Sequence, residues 1–394
     1  MNSFPVNSPE WLSKRILNKG GIISFHEYMD IVLNDPLEGY YGSGKAKLSL
    51  DGDFVTSPSL SDDFSRFLAI QLKEWLKQLS KELKSTQKLK IIEFGSGDAS
   101  LLKGVISYLQ ITEKDILNSL SFLIIEINNG MAEKQKNNLN DFINKGIDIS
   151  WINFEDLEDE SLNGIIIAHE VLDAFPVERI QYSNGEIFRQ GVSFDKQTGT
   201  LNFKLIALND QLIEYLTYIK EEIGVVIPPL DAPDGWTTEL RVNDSEWLKG
   251  INKKFKNGIL LIIDYAIDSK RYYSAKRIDG TLITYKDQQA SSDLLKKPGD
   301  CDMTSHLCSD ILINQAKLNG FECMGSVKQG EALLALGLSK ELFEIQDNFK
   351  DDLSGALLKR EALLRLVDPL CLGDLKWFVF QKNGSINFSS ECIR

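Results

Sequence analysis

Between Lys88 and Glu170 the chain alternates two patterns, and this alternation limits its fold more than any other feature. The runs KLKIIEF, SFLIIEI, DISWI and GIIIAHE are short and mostly apolar, whereas SLLKGVISYLQ and MAEKQKNNLNDFI are longer and amphipathic. Short apolar runs without polar alternation are strands covered on both faces, and a 3.6-residue period marks helices. Strands joined through helical crossovers run parallel. The expected class is α/β, with a doubly wound, mostly parallel sheet.

On either side the pattern changes. The first part, with SFHEYMDIVLNDPLEGYY and GDFVTSPSLSDDFSRFLAIQLKEWLKQL, is helical. Ser57 or Ser59 is placed to cap the second helix, whose apolar positions include Phe64, Phe67, Leu68, Leu72 and Trp75. After Val177 the period drops to two, with turn pairs at Asn184-Gly185 and Thr198-Gly199, which signals antiparallel hairpins. GILLIIDYA then resumes the main sheet and LKWFVFQK adds a last strand, while the polar stretch from Ser269 to Asp302 reads as a functional loop or flap rather than core. The expected organisation is a helical, cofactor-covering segment over 1–85, a core over 86–176 and 256–394, and an inserted hairpin and helix subdomain over 177–255.

A formal net charge of −13 argues against nucleic acid, which calls for clustered Lys and Arg, and suits a cationic peptide or protein partner. The five cysteines lack C-x-x-C spacing, so a reducing compartment is expected; Cys301, His306 and Cys308 match no zinc motif, and no metal is expected. The first residues lack the apolar core of a signal peptide, and no apolar run approaches the ~20 residues of a membrane span. A cytoplasmic protein is the expectation. Oligomeric state is not legible.

The stretch IIEFGSGDASL runs a strand into a glycine turn and a helix. Gly95 and Gly97 allow a tight turn and close backbone approach, and the helix beginning near Ser100 offers free N–H groups to a carboxylate or phosphate. Glu93 at the strand end would repel a pyrophosphate. It suits S-adenosylmethionine, which has no phosphate and carries an ammonium, a sulfonium and one carboxylate. Glu126 ends the next strand, where an acid can accept from ribose hydroxyls, and Glu155-Asp156 follows the third, where an adenine amino group is met. NAD is the alternative, weakened because Ser100 stands where G-x-G-x-x-G requires its third glycine.

Several blocks then resemble the MidA-like family, over roughly Ser24 to Phe380. EFGSGDASLL resembles the family's ELGPGRGTL, AHEVLDAFPVERI its ANEFFDALPV, LIIDYA its iDYG, and PGDCDMTSHL its PG--DITAHV. The resemblance implies a class I S-adenosylmethionine methyltransferase that methylates an arginine of a partner protein, linked to assembly of an NADH-dehydrogenase (complex I)-type complex. It also implies that the GDFVTSP block folds over the cofactor, with Thr56 and Ser57 offering hydroxyls. Ala99 replaces the family loop's last glycine, a change a helix N-terminus tolerates, and His169 replaces its asparagine.

An arginine nucleophile is protonated, so carboxylates must orient it and receive its proton. Glu170 and Asp173, three apart beyond a core strand, are the candidates, since a helical turn there brings both to one side. His169 is either a proton acceptor or a packed histidine, and Asp264 either supports the pocket or buttresses a loop. Tyr40, Tyr41 and Trp236 read as core or rim. Two other functions fit these residues: a non-catalytic assembly factor that retains the fold, and a small-molecule methyltransferase.

Overall fold

The structure, a computed structural model, describes residues 6–47, 52–83, 88–347, 352–383 and 390–393. Its main sheet has seven strands: β1 (Leu89–Phe94), β2 (Leu120–Ile125), β3 (Ile149–Trp151), β4 (Leu162–His169), β5 (Phe255–Asp264), β6 (Glu322–Lys328) and β7 (Lys376–Lys382). Their spatial order is β6-β7-β5-β4-β1-β2-β3. The run from β5 through β4, β1 and β2 to β3 is parallel, and β7 is antiparallel to both its neighbours. The chain leaves β1 toward β2 on one side and returns to β4 on the other. That reversal opens a crevice beyond the carboxyl ends of these strands, where ligands of open α/β sheets bind.

Six helices matter for the site: α1 (Phe25–Asn34), α2 (Asp62–Leu83), α3 (Ser100–Thr112), α4 (Asn129–Asn144), α5 (Asp244–Lys254) and α6 (Ser309–Leu318). One sheet face buries Ile91, Phe122, Ile124 and Ile165 against α2 and α3. The other buries Ile92, Leu123, Ile166 and Ala168 with residues of α5 and α6. This two-sided burial is why the central strands lack polar alternation. Phe64, Phe67, Leu68, Leu72 and Trp75 all lie in the buried face of α2. Its start differs from expectation. Thr56 and Ser59 close a capping box around a four-residue helix, Ser57–Leu60, the backbone then extends at Ser61, and the Ser61 hydroxyl accepts the Asp63 N–H at 3.1 Å. Neither Ser57 nor Ser59 caps the long helix, because the chain breaks between them and it.

A second, antiparallel sheet is built from strands 178–183, 186–195, 200–206 and 237–240. The turn between the first two holds Asn184 and Gly185 at φ 51° and 87°, as a two-residue hairpin with matching twist requires. The first part of the chain also contributes strands here: Val6 pairs with Leu201, and Ile23 with Val192. These strands, two and three residues long, are too short to carry a period, which is why the sequence of this part shows only helix. Leu12, Phe25, Tyr28 and Met29 share one apolar core with Val192 and Leu201 of the insertion.

The stretch from Ser269 to Asp302 is more built than a flap. Its strands 283–286 and 289–291 pair with each other, and the first also pairs with 302–304. Leu282, Leu294 and Leu295 of this stretch, and Met303 just after it, enter the same core. Asp53, fully buried, fixes the hairpin by accepting the Asp287 N–H at 3.1 Å and pairing with Lys286 at 3.2 Å. Among the described residues no helix is long and apolar enough to cross a membrane.

Candidate active site

A cavity of about 910 Å³ lies beyond the carboxyl ends of β1, β2 and β4, roofed by α1 and the 54–58 segment. Glu93, Gly95, Gly97, Glu126, Glu155, Asp156, Thr56, His169 and Glu170 all line it, so most of the residues expected to hold the cofactor or carry the reaction converge here. Ser57 and Asp173 do not reach its wall.

The floor begins at Glu93, which is 3% exposed. Burial pushes its carboxyl up to about 7, with help from Asp98 and Glu126, while the Ser96 hydroxyl donates to it and opposes the rise. Gly95 and Gly97 follow at φ 53° and 55°, left-handed values that suit glycine. A Cβ on Gly95 would press Val171 at 3.1 Å. Ala99 then precedes α3 at φ 68°, ψ 17°, fully buried. Alanine here is not the mild change that a helix N-terminus suggests, because the residue is left-handed and its Cβ opposes that conformation. Ala99→Gly is therefore expected to stabilise the protein by about 1 kcal/mol in urea unfolding. A lower midpoint at unchanged m-value would refute the strain.

Glu126 accepts the Asn128 N–H at 2.9 Å and the Gln135 amide at 2.8 Å, and burial raises its pKa. Gln135, fully buried on α4, also donates to the Gly97 carbonyl at 3.0 Å and accepts from the Trp151 indole at 2.9 Å. One amide thus joins the glycine turn, the β2 end and β3. Nothing in the sequence marks it, although it stands only nine residues after Glu126. Glu155 and Asp156 sit in a 3-10 turn with Phe154 and are exposed at the cavity edge.

The loop that follows α1 is clamped to α4. Lys134 donates to the carbonyls of Gly44 and Ala46 at 2.6 and 2.8 Å, and Gly130 packs backbone to backbone on Gly44. A Cβ on Gly130 would stand 2.6 Å from the Gly44 nitrogen, closer than atoms can approach. Gly130→Val is expected to lift the roof and weaken S-adenosylhomocysteine binding by about tenfold or more, read by calorimetry. Wild-type affinity would show that the roof does not serve the cofactor.

At the end of β4, Glu170 is held at φ 49°, a left-handed conformation that costs a non-glycine residue roughly 1–3 kcal/mol. Its N–H donates to the Ile263 carbonyl at 2.8 Å. Burial pushes its carboxyl well above the usual range, Asp173 and Asp302 add to that, and the Ser57 N–H at 3.5 Å opposes it. The Ser57 hydroxyl faces away from the cavity, bonded to the Gln329 amide at 3.0 Å. His169 lies beside Glu170, with Nε2 3.5 Å from Oε1 and no hydrogen-bond partner among the described residues. Burial pushes the imidazole down to about 3, so this contact joins a neutral ring to a carboxyl and is not an ion pair.

Asp173 sits behind Glu170 in a 3-10 turn, Leu172–Ala174. This turn begins only after Glu170, so it does not bring both acids to one side as expected, and only Glu170 of the pair lines the cavity. Burial raises the Asp173 carboxyl to about 6, against the nearby Arg241. Asp264 buttresses this loop, accepting the N–H groups of Leu172 and Asp173 at 3.1 Å each. Arg241, unmarked in the sequence, holds the loop from the insertion side: it chelates Asp244, donates to the Ser305 hydroxyl at 2.8 Å and bonds the Leu172 carbonyl. Tyr40 and Trp236 are core, whereas Tyr41 lines the cavity.

Among the described residues that line it, seven are Asp or Glu and none is Lys or Arg. Among the described residues no group of His, Cys, Asp and Glu is arranged to hold a metal. The wall therefore fits a phosphate-free, cationic ligand, and its volume lies within the range of ordinary cofactor sites.

Comparison with known proteins agrees. The chain is 24% identical over 386 residues to the bovine mitochondrial protein arginine methyltransferase NDUFAF7, covering 90% of this chain and 78% of that one. It is 24% identical to the human protein of that name over 348 residues, covering 83% and 73%. A Burkholderia thailandensis protein crystallised with S-adenosyl-homocysteine shares the fold at a TM-score of 0.81 and 24% identity, over 99% of this chain and 97% of that one. Residues 67–327 match the model of methyltransferase family 28, described as S-adenosyl-L-methionine-dependent methyltransferases. The chain belongs to this family of S-adenosyl-L-methionine-dependent methyltransferases.

Proposed function

We propose that this methyltransferase acts on an arginine side chain of a partner protein. The observation that carries the reading is the cavity wall, rich in carboxylates and, among the described residues, without a lysine or arginine, beside a strained, buried Glu170. A cationic cofactor and a cationic acceptor both gain from such a wall. The relatives named protein arginine methyltransferases support the same acceptor, and the MidA-like resemblance suggests a subunit of an NADH-dehydrogenase-type complex as the partner.

When bound, S-adenosyl-L-methionine supplies an electrophilic methyl group on a sulfonium. In this reading Glu93 faces its ammonium, the N-terminus of α3 its carboxylate, Glu126 the ribose hydroxyls, and Glu155 or Asp156 the adenine edge; Thr56 closes the site from the roof. Glu170 receives the acceptor guanidinium, localises its charge and takes the proton released as nitrogen gains the methyl group. Its raised affinity for protons suits that task, and the packed, neutral His169 does not compete for it. Asp173 keeps the field around Glu170 negative without touching the acceptor.

The test is mass spectrometry of NADH-dehydrogenase-type subunits from cells with and without this gene. A methylated arginine present only with the gene is expected. Methylation found only on lysine or on small molecules would replace the reading.

A further inference from the structure

His169 lines the cavity and is 8% exposed, yet its Nε2 has no hydrogen-bond partner among the described residues. A buried nitrogen in that state is uncommon, because it gives up water and gains nothing in return. The ring is not loose. It packs on Phe64 of α2 with centroids 5.1 Å apart, and Trp377 of β7 backs Phe64 edge-on at 6.1 Å. His169 also ends β4 beside Ile263 of β5, whose carbonyl takes the Glu170 N–H at 2.8 Å. Side-chain packing and backbone pairing therefore hold the imidazole against the next residue.

Nε2 lies 3.5 Å from Glu170 Oε1, longer than a formed hydrogen bond but within the range that tightens when a site is filled. The Ser57 N–H stands at the same oxygen, also at 3.5 Å. The other titratable groups whose charge acts on Glu170 are Asp173 of its own loop, Asp264 and Tyr265 at the end of β5, and Asp302; none of these is a cation. Arg241 is engaged by Asp244, Ser305 and the Leu172 carbonyl. The ring's hydrogen bond is to its own backbone and Nε2 does not make it, which assigns the proton to Nδ1 and a free lone pair to Nε2. A lone pair at that place matches one donor, the hydroxyl of a protonated Glu170.

We propose that His169 is the positioning residue of the proton acceptor: its Nε2 takes the hydrogen bond of the Glu170 hydroxyl and so draws the released proton away from the methylated nitrogen. The assignment rests on the reading of Glu170 given above. As the acceptor nitrogen gains the methyl group, sulfur keeps the electron pair of the broken S–C bond. The acceptor N–H bond breaks with its pair left on nitrogen, and the proton forms an O–H bond on the nearer carboxyl oxygen. The terminal torsion of a glutamate is broad and roughly two-fold, so a half-turn exchanges the two oxygens. The hydroxyl then donates to Nε2, and a bare oxygen returns to the cavity. His169 stays neutral throughout.

The test compares His169→Phe, which keeps a ring on Phe64 and loses the acceptor, with His169→Gln, which keeps an acceptor at similar reach. Methylation is read as label from methyl-tritiated cofactor incorporated into protein of an extract from cells without this gene. His169→Phe is expected to lower the rate at saturating cofactor about tenfold, with the KM for cofactor and the S-adenosyl-homocysteine affinity unchanged, and His169→Gln to recover most of the loss. The unchanged affinity also reports a folded variant. Infrared difference spectra give the readout that a packing role does not move. The C=O stretch of protonated Glu170, identified by its loss in Glu170→Gln, should shift to higher wavenumber in His169→Phe and stay near the wild-type position in His169→Gln. An unmoved stretch in His169→Phe overturns the proposal and leaves Glu170 as the proton acceptor. Equal loss of rate in both His169 variants, with normal S-adenosyl-homocysteine binding, overturns it as well. Full activity of Glu170→Gln overturns the reading of Glu170, and the proposal with it.

Discussion

Glu93→Gln is expected to lose cofactor affinity by at least about tenfold and yet to make the ligand-free protein more stable above pH 7. Both effects come from one buried carboxyl whose folded value is near 7, raised first by desolvation. For a carboxyl raised on folding, the folded state binds more protons than the unfolded one between about 4.5 and 7. Stability is thus greatest at low pH and falls as pH rises through that window. Over the 2.5 units between 4.5 and about 7 the loss is on the order of 3 kcal/mol. Glutamine removes it, so the gap between variant and wild type should open with rising pH and level off above about 7. Cofactor affinity runs the other way. The ammonium needs the ionised form, so wild-type binding should strengthen from pH 5.5 to 8 while the variant stays flat. Urea unfolding and calorimetry across pH measure the two curves, and a pH-independent wild-type affinity would exclude Glu93 as the ammonium's partner.

Glu170→Gln should lower methyl transfer by about 10²–10⁴ with S-adenosyl-L-methionine affinity nearly unchanged, since the amide keeps the shape and cannot accept the proton. The readout is label from methyl-tritiated cofactor incorporated into protein. Glu170→Gly separates the two burdens of this position. It relieves the left-handed backbone and removes a buried acid, so it should be more stable than wild type by about 1 kcal/mol or more while remaining inactive. An active Glu170→Gln would move the proton acceptor elsewhere. Strain retained at an acid on the cavity wall is what a catalytic position, rather than a structural one, is expected to show.

Much of the main sheet was legible because its inner strands are buried on both faces, and such strands announce themselves as continuous apolar runs. The strand-end acids were legible for the same reason: once the strands are placed, Glu93, Glu126 and Glu170 fall at their carboxyl ends. What escaped depends on residues far apart in the chain. Asp302 meets Tyr41 and Arg241 reaches Leu172 only through tertiary packing, and neither residue type marks its partner. Ala99 escaped differently, since alanine favours helix everywhere and its left-handed setting is imposed by the turn. In the stretch from Ser269 to Asp302, Leu282, Leu294 and Leu295 are spaced too widely to suggest a core.

The pairing of Val6 with Leu201 and of Ile23 with Val192 also sets an order of events during synthesis. Val6 and Ile23, translated before their partners, cannot pair until β1 to β4 and the hairpins have left the ribosome. Long-range strand pairing is slow because the intervening chain must first be closed into a loop. Leu12, Phe25 and Tyr28, fully buried at the end, stay without their partners through that delay. The roof of the methyl-transfer site is made from chain translated before the core it covers and is assembled among the last.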